Sequence, residues 1–314
     1  MDFLSVGEMV IDFLPGNEAG VYIRKAGGAP ANVAIALARQ GCDAAFCGMM
    51  GNDDFGRFLL ETLRDNGVKP LVTDLTNDAI TTMAFVTLNE FGDRSFTFAR
   101  KPGADMFLNR SHIKDEYLDN TSIVHAGSCS LSKGDAVGAT VYALQEGCRR
   151  GKLVSFDVNY RNLLWDNDRT AASVAVMKIL PFVDILKISE DEIDMIGGEE
   201  EIPKLMRECD IAMVVETLGA NGARCFWNGE IISLDGIKAE CVDATGAGDA
   251  FWGGFLSVII KCGIKTTSEF TKEIIEKALR CGNISGWLCV RKKGAIESLP
   301  TAHEVEAHMR ELYV

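Results

Sequence analysis

The clearest signal in this sequence is a glycine-rich turn, Asp243-Ala244-Thr245-Gly246-Ala247-Gly248-Asp249-Ala250-Phe251, which leads directly into the apolar stretch 252–260. Glycines before a helix direct several backbone N–H groups and the positive end of the helix dipole at one point, an arrangement that suits a phosphoryl group. Asp249 lies inside this turn, where its carboxylate would either cap the helix or accept a proton from a hydroxyl beside the bound anion. The turn therefore predicts an anion hole with a candidate general base beside it.

This turn differs from the two common phosphate-binding loops. Position 251 is Phe where a GxGxxG loop needs its third glycine, and the chain contains no GxxxxGK[ST] pattern. The sequence therefore predicts neither a Rossmann dinucleotide site nor a Walker loop, and it disfavours a dinucleotide-dependent oxidoreductase.

A second glycine-containing turn lies near the N-terminus, where Ala26-Gly27-Gly28-Ala29-Pro30-Ala31-Asn32 leads into a predicted helix over 31–40. Paired glycines allow close approach of the backbone, and an Asn side chain both donates and accepts hydrogen bonds, which suits a neutral polyol. Asp12, in the strand pair predicted before this turn, would add a carboxylate acceptor for sugar hydroxyls. The residues alone also allow a tight turn with a helix cap at 26–32 and a solvated hairpin residue at Asp12.

Length, composition and charge are those of a globular protein, with 314 residues, 47% hydrophobic and 25% charged. Lys and Arg number 32 against 45 Asp and Glu, and the net charge of −13 argues against a nucleic-acid partner. A bound anion must then be received by helix N-termini, metal ions or single basic residues. The longest uncharged apolar run, 250–260, is too short to span a membrane, and no basic segment begins the chain, so we expect a cytoplasmic protein without a membrane partner.

Short β-rich runs alternate with helical patterns along most of the chain, which predicts an α/β fold with a mostly parallel sheet covered on both faces. We expect strands over 4–6, 122–125, 153–157, 185–188 and 211–215, and helices over 53–64, 135–150, 170–180 and 190–208. Ligands bind beyond the carboxyl ends of such strands, so Asn159, Lys187 and Thr217 are candidates to line one cleft.

Two segments, about 9–25 and 80–101, depart from this alternation and predict strand pairs, the second with a turn at 89–93. We expect them to form a small β-sheet lid over the cleft, within a single domain spanning 1–314. An exposed lid sheet would also allow a homodimer.

The two glycine-containing motifs, in this order and spacing, resemble the signatures of the ribokinase-like (pfkB-type) carbohydrate kinases, and the similarity covers essentially the whole chain. The resemblance implies a three-layer α/β/α fold with a small β lid, and transfer of the γ-phosphoryl group of ATP to a sugar hydroxyl, usually with Mg²⁺. It also implies roles for specific residues. Asp249 is the expected base, Gly246, Ala247 and Gly248 form the anion hole, and Asp12, Gly27, Gly28 and Asn32 bind the sugar.

The resemblance extends to nucleotide and metal positions. Thr217, Gly219 and Gly222 match a segment near the nucleotide phosphates and ribose, Asn283 matches a position beside the adenine, and Lys187 joins this ATP-binding set. Ser189-Glu190-Asp191-Glu192 lies where the family commonly has Asn-x-x-Glu, so Glu192 is expected to act indirectly in Mg²⁺ binding. Asp243, Thr245, Gly294 and Ser298 correspond to a monovalent-cation site, which adds K⁺ as an optional cofactor.

Three further segments bear on the sugar. Segments 7–13 and 102–108 resemble fructokinases, whereas 157–165 resembles both fructokinases and 2-keto-3-deoxygluconate kinases. Asp105 and Asn159 join the expected sugar site, where Arg161 would hold the transferred phosphate or a substrate carboxylate and Arg100 would close over the site. We therefore predict an ATP-dependent fructokinase. The alternatives are a kinase of 2-keto-3-deoxygluconate or another hexose derivative and, in a different class, a non-catalytic sugar-binding regulator.

Overall fold

The structure is a computed structural model that describes residues 1–16, 18, 20–88 and 94–313. Within these residues the strands are β1 (Phe3–Val6), β2 (Val10–Pro15), β3 (Tyr22–Gly27), β4 (Ala44–Cys47), β5 (Lys69–Pro70), β6 (Met83–Leu88), β7 (Arg94–Ala99), β8 (Ile123–Gly127), β9 (Leu153–Asp157), β10 (Ile185–Ser189), β11 (Met213–Thr217), β12 (Gly222–Trp227) and β13 (Glu230–Asp235). The helices are α1 (Ala29–Arg39), α2 (Asp54–Asp65), α3 (Asp115–Asp119), α4 (Ala136–Arg149), α5 (Arg169–Ile179), α6 (Ile202–Cys209), α7 (Ala247–Lys261), α8 (Lys272–Cys289), α9 (Ala295–Ser298) and α10 (Ala302–Tyr313).

Nine of these strands form one sheet, in the order β13-β12-β11-β10-β9-β8-β1-β4-β5. Every pairing from β11 to β5 is parallel, whereas β12 and β13 add an antiparallel hairpin at one edge. Parallel strands joined through helices are what the alternating pattern predicts. The predicted α/β fold with a mostly parallel sheet is confirmed.

Helices cover both faces of this sheet, because its buried strands present apolar side chains in both directions. On one face Ile185 and Met213 pack in a core cluster with residues of α1, α2, α7 and α8. Their chain neighbours Leu186 and Val214 point the opposite way and pack with residues of α4, α5 and α6. The domain therefore has three layers, α/β/α.

The helix that carries the glycine-rich turn is anchored to the middle of the sheet. Trp252 of α7 is fully buried, and its indole Nε1 donates a hydrogen bond of 3.0 Å to Oγ of Ser155 on β9. Burying an indole N–H without a partner would cost free energy, so this bond favours one position of α7 over others. The N-terminal turn of α7 is thereby held at the carboxyl ends of the parallel strands.

The two segments that depart from the α/β alternation form a separate four-stranded sheet, in the order β3-β2-β6-β7. Its hairpins β2–β3 and β6–β7 are antiparallel, and β2 pairs with β6 in parallel. Phe13 of β2 stacks on Phe85 of β6 with ring centroids 4.9 Å apart and meets Phe55 of α2 edge to face, which attaches this small sheet to the large one. The predicted strand pairs are present, and the turn predicted at 89–93 lies outside the described residues.

The continuous helix predicted over 190–208 is wrong. The structure has a 3₁₀ segment at Glu190–Ile196, a second at Glu199–Glu201, and only then α6. Gly197 and Gly198 separate the first two with φ values of +96° and +94°. These backbone angles favour glycine and end a helix, so the glycine pair breaks the apolar periodicity into short pieces. None of the helices described in the structure is long and apolar enough to cross a membrane.

Candidate active site

Two cavities meet at the N-terminus of α7. The first, of about 410 Å³, is the sugar-side cavity, and Gly246 and Asp249 lie on its wall. The second, of about 580 Å³, is the nucleotide-side cavity, and Ala247 and Gly248 lie on its wall. Both volumes suit small-molecule ligands. Four consecutive residues thus face two adjoining spaces, whereas a larger groove of about 1150 Å³ at the edge of the sheet contains none of the predicted site residues.

Asp249 is a buried carboxylate in the first turn of α7. Gly246, with a φ of +81°, occupies the position that precedes this helix, and no described side chain caps it. Asp249 therefore does not cap the N-terminus of α7, which was one of the two roles that its position in the sequence allowed. Instead its Oδ2 accepts a hydrogen bond of 2.8 Å from Nδ2 of Asn32. Burial raises the pKa of Asp249 to about 6, although the hydrogen bond from Asn32 acts in the opposite direction and lowers it.

The diglycine turn allows β2 to approach the start of α1 closely. A Cβ atom on Gly28, which has a φ of +109°, would lie 2.6 Å from the carbonyl oxygen of Glu8. A Cβ atom on Gly27 would lie 2.1 Å from Oδ2 of Asp12, so Gly27 supports Asp12 from behind and does not itself line the cavity. Burial raises the pKa of Asp12 to about 6. Only glycines at these two positions leave space for the carboxylate and the strand.

Most of the predicted sugar-binding residues line the sugar-side cavity together. Asn32 is buried, and its Oδ1 has no hydrogen-bond partner among the described residues. A buried amide oxygen without a partner is costly, so this atom is available to accept a ligand hydroxyl. Arg161 is exposed to solvent at the same wall and hydrogen-bonds through Nη1 to the carbonyl oxygen of Tyr160. The predicted residues on this wall are Asp12, Gly28, Asn32, Asn159, Arg161, Thr245, Gly246 and Asp249.

Arg100 and Asp105, which are predicted to contact the sugar, are not on the wall of this cavity in the ligand-free structure. Both are buried, and Nε of Arg100 donates to Oδ2 of Asp105 at 2.9 Å while Nη1 donates to Oγ of Ser132 at 3.0 Å. Thr82 also donates to the second oxygen of Asp105. Because the two charges neutralise each other, the pair fixes the end of β7 against the segment that follows it.

Lys187 brings a positive charge to the N-terminus of α7. Its Nζ donates to Oδ2 of Asp157 at 2.7 Å, and a Cβ atom on Gly248 would lie only 3.5 Å from that Nζ. Burial alone would lower the pKa of Lys187, but the neighbouring Asp157 carboxylate holds it above its ordinary value. The ammonium group is therefore charged and lies beside the N-terminus of α7, where an anion would bind.

Glu192 has its oxygens engaged in backbone contacts. It accepts hydrogen bonds from the amide of Ser189 at 3.0 Å and from the amide of Tyr160 at 2.6 Å. These bonds cap the 3₁₀ segment and fix the backbone next to Arg161. No group of three or more His, Cys, Asp or Glu side chains suited to a metal ion occurs in the part of the chain that the structure describes.

The residues predicted for a monovalent cation lie together beside the turn. Asp243 accepts hydrogen bonds through Oδ1 from the amide of Thr245 at 3.0 Å and through Oδ2 from the amide of Gly294 at 3.1 Å. Ser298 donates to the carbonyl oxygen of Gly294 at 2.5 Å. The two loops are thus joined by an all-oxygen set of carboxylate, hydroxyl and carbonyl groups, which is the donor chemistry that K⁺ requires.

All but one of the predicted ATP-binding residues line the nucleotide-side cavity. They are Thr217, Gly219, Gly222 and Asn283, and the exception is Lys187. Asn283 on α8 donates through Nδ2 to the carbonyl oxygen of Asp235 at 3.2 Å. Apolar wall residues that the sequence reasoning missed are Ile237, Phe251, Trp287 and Val290. They come from three separate places in the sequence, since Trp287 and Val290 lie three residues apart at the end of α8, and no local pattern relates the three places.

Sequence reasoning also missed Glu8, which lies on the wall of the sugar-side cavity with Val10 and Asp12. Alternate residues of an extended segment point to the same side, so the spacing 8, 10, 12 was a usable signal. Cys129 and Leu164, from other elements, complete the same wall and carried no such signal.

Comparisons with known proteins identify the family of this chain. The model of the pfkB family of carbohydrate kinases matches residues 2–302. Fructokinase-1 of Oryza sativa subsp. japonica is 37% identical over 312 residues, which cover 96% of this chain and 95% of that protein.

Solved structures resemble the whole chain as well. A fructokinase from Xylella fastidiosa with bound ATP has a TM-score of 0.91 at 29% identity, covering 99% of this chain and 98% of that one. A fructokinase from Vibrio cholerae O395 in a form with fructose, ADP and calcium ion has a TM-score of 0.85 at 33% identity, covering 98% of both chains. A double mutant of the latter, in a form with fructose, ADP and potassium ion, has a TM-score of 0.87 at 33% identity, covering 98% of this chain and 97% of that one.

Proposed function

The chain belongs to the pfkB family of carbohydrate kinases, and on this basis we propose that it is an ATP-dependent fructokinase with Asp249 as its general base. One observation carries the assignment of the base: the buried Asp249 carboxyl lines the sugar-side cavity, and the residue before it, Gly248, lines the nucleotide-side cavity. A carboxyl at this position would lie beside a sugar hydroxyl bound in the first cavity and close to the helix N-terminus that faces the second. The fructokinases to which the chain is similar support the choice of sugar.

In the proposed reaction Asp249 accepts the proton of the sugar hydroxyl as its oxygen attacks the γ-phosphorus. Asn32 orients the Asp249 carboxylate through its 2.8 Å hydrogen bond, which leaves the other carboxylate oxygen to face the substrate. A general base with a pKa of about 6 is mostly ionised at neutral pH and still basic enough to accept a proton. No covalent intermediate is needed, since phosphoryl transfer depends mainly on positioning and electrostatics.

Negative charge on the transferred group is stabilised by the N-terminus of α7 and by basic side chains. The backbone amides at 246–248 and the helix dipole act as the anion hole, and the Lys187 ammonium lies beside them. Arg161 can hold the transferred group from the sugar side. Mg²⁺ bound with the nucleotide would neutralise phosphate charge, and K⁺ at Asp243, Thr245, Gly294 and Ser298 would stiffen the turn before α7.

We also propose that the four-stranded sheet acts as a lid. Val10 and Asp12 of β2 and Phe98 of β7 line the sugar-side cavity, so movement of this sheet would open and close it. Val21, Tyr22 and Ile23, at or beside strand β3, expose large apolar side chains, 46%, 42% and 47% accessible, which suits a homodimer formed through the lid. A molar mass in solution, measured by light scattering, of one chain would contradict the dimer.

The remaining partner and compartment proposals rest on charge and cysteine chemistry. The net charge of −13 disfavours nucleic acid as a partner. The ten cysteines are free thiols, which suits a reducing compartment, and we propose the cytoplasm.

The function is tested by a panel of acceptors. ADP formation is measured with fructose, ribose, 2-keto-3-deoxygluconate and a nucleoside, each with and without K⁺. We expect the highest kcat/KM with fructose. A preference for 2-keto-3-deoxygluconate would replace fructose as the acceptor, and fructose binding without ADP formation from any acceptor would favour a non-catalytic sugar-binding regulator.

A further inference from the structure

Glu8 is a buried carboxyl on the sugar-side cavity to which neither the proposed mechanism nor the family resemblance gives a role. It is 5% exposed, and it follows the same alternation as Val10 and Asp12, with which it lines the cavity. Its Oε2 has no hydrogen-bond partner among the described residues. Leaving such an atom unpaired costs free energy of folding, and a ligand hydroxyl in the cavity would remove that cost.

Arg100, the basic residue that could pair with Glu8, already forms an ion pair with another carboxylate. Arg100 influences Glu8 electrostatically, but its guanidinium forms a buried ion pair of 2.7 Å with Asp105 and a hydrogen bond with Ser132. The pKa of Glu8 is raised to about 7, chiefly by burial and also by Asp105, while a hydrogen bond with its own backbone, Arg100 and Arg161 act to lower it. Glu8 is therefore not part of a neutralised pair and faces the cavity as an acidic group.

The charges on the cavity wall are unbalanced toward acid. Among the described lining residues, Glu8, Asp12 and Asp249 are carboxyls, and Arg161 is a single guanidinium. A neutral polyol can donate a hydroxyl to each carboxyl, whereas a carboxylate on the ligand would meet like charge on this wall.

We propose that Glu8 is a specificity-determining residue that binds a hydroxyl of a neutral sugar through Oε2 and discriminates against sugar acids. This inference rests on the proposed function, since it defines the class of acceptor for the same site. It assigns two separable properties to Glu8. Its charge excludes carboxylate ligands, and its hydrogen bond holds the neutral sugar.

Two variants separate these properties. Glu8→Gln removes the charge and keeps the shape and hydrogen-bonding capacity. At pH 8, where a carboxyl with a pKa of about 7 is mostly ionised, fructose kcat/KM should stay within about fivefold while the inhibition constant of 2-keto-3-deoxygluconate against fructose falls at least about tenfold. Glu8→Leu removes the hydrogen bond as well, so KM for fructose should rise at least about tenfold with a smaller change in kcat. Glu8→Gln should not lower the unfolding temperature of the ligand-free protein, because Oε2 has no partner to lose and the amide oxygen can keep the hydrogen bond with the backbone of residue 8.

A matched control is Asp184→Asn, which removes a carboxyl whose pKa burial also raises, to about 6, but which lies before β10 at the opposite end of the sheet. It should leave both the fructose KM and the inhibition constant unchanged. An unchanged inhibition constant in Glu8→Gln, a wild-type fructose KM in Glu8→Leu, or a lower unfolding temperature in Glu8→Gln would each overturn the proposal.

The acceptor panel on the wild-type protein keeps the two proposals apart. If a neutral sugar other than fructose is the best acceptor, fructokinase activity is refuted and the Glu8 variants are measured with that sugar. If fructose is the best acceptor and the variants fail as above, only the role of Glu8 is refuted. If a sugar acid is the best acceptor, both are refuted.

Discussion

Replacing Asp249 by Asn should abolish turnover and, at the same time, stabilise the ligand-free protein. Asn is nearly isosteric and can still accept the hydrogen bond from Asn32, but it cannot take a proton. A positioned general base contributes about 10²–10⁴-fold, so kcat with fructose should fall by at least about 10²-fold. Turnover within about tenfold of wild type would refute the assignment of Asp249 as the base.

The stability gain follows from the pKa of Asp249. Burial raises this pKa from 3.8 to about 6, which corresponds to a cost of the order of 3 kcal/mol for folding with the charged form. Below pH 4 the carboxyl is protonated in both the folded and the unfolded chain, so the substitution changes little there. Between pH 4 and about 6 the unfolded chain ionises first and wild-type stability falls, and above about 6 the loss is complete.

The assay is thermal unfolding of wild type and Asp249→Asn from pH 4 to pH 8. We expect the variant to unfold roughly 5 °C above wild type at pH 8, with the difference shrinking toward zero near pH 4. Asp184→Asn is the matched control, since burial also raises the pKa of Asp184 to about 6, so it should show the same trend with full activity. A stability difference that does not depend on pH would refute the burial argument, whatever happens to turnover.

Two further substitutions test the turn and the nucleotide side. Gly28→Ala should lower the free energy of unfolding by at least about 3 kcal/mol in chemical unfolding, because its φ is +109° and the new Cβ would lie 2.6 Å from a backbone oxygen. The control Gly41→Ala, at a φ of +83° with open space around it, should cost only about 1 kcal/mol. Equal losses in the two variants would contradict the close-approach argument. Asn283→Ala should raise KM for ATP about fivefold through one lost hydrogen bond and leave KM for fructose unchanged; a change in the fructose KM alone would place Asn283 outside the nucleotide site.

Local signals in the sequence were sufficient for most of the secondary structure. The helix predicted over 31–40 is observed at Ala29–Arg39, and the strand predicted over 153–157 is observed at those residues. Apolar periodicity and terminal glycines are properties of neighbouring residues, so they can be recognised without tertiary contacts. The failure at 190–208 has the same origin, because the apolar periodicity was given more weight than the Gly197-Gly198 pair that interrupts it.

Contacts between distant parts of the chain could not be predicted in this way. The hydrogen bond between Asn32 and Asp249 joins residues 217 positions apart, and only the family resemblance placed both in one site. Arg100 was expected to close over the sugar, yet Asp105 takes up its charge. A sequence shows which ionisable groups exist but not which of them neutralise each other, because that depends on side-chain positions in the folded state.

The distribution of charge between the two cavities explains how an acidic chain can bind a polyanion. Although the chain has 45 Asp and Glu residues, the described wall of the nucleotide-side cavity contains no carboxyl and one ammonium, that of Lys238. The carboxyls lie instead on the sugar-side wall, as Glu8, Asp12 and Asp249. A neutral sugar is not repelled by that wall, whereas the phosphorylated product carries negative charge toward it. We therefore expect the wall that admits a neutral sugar also to favour release of the phosphorylated product.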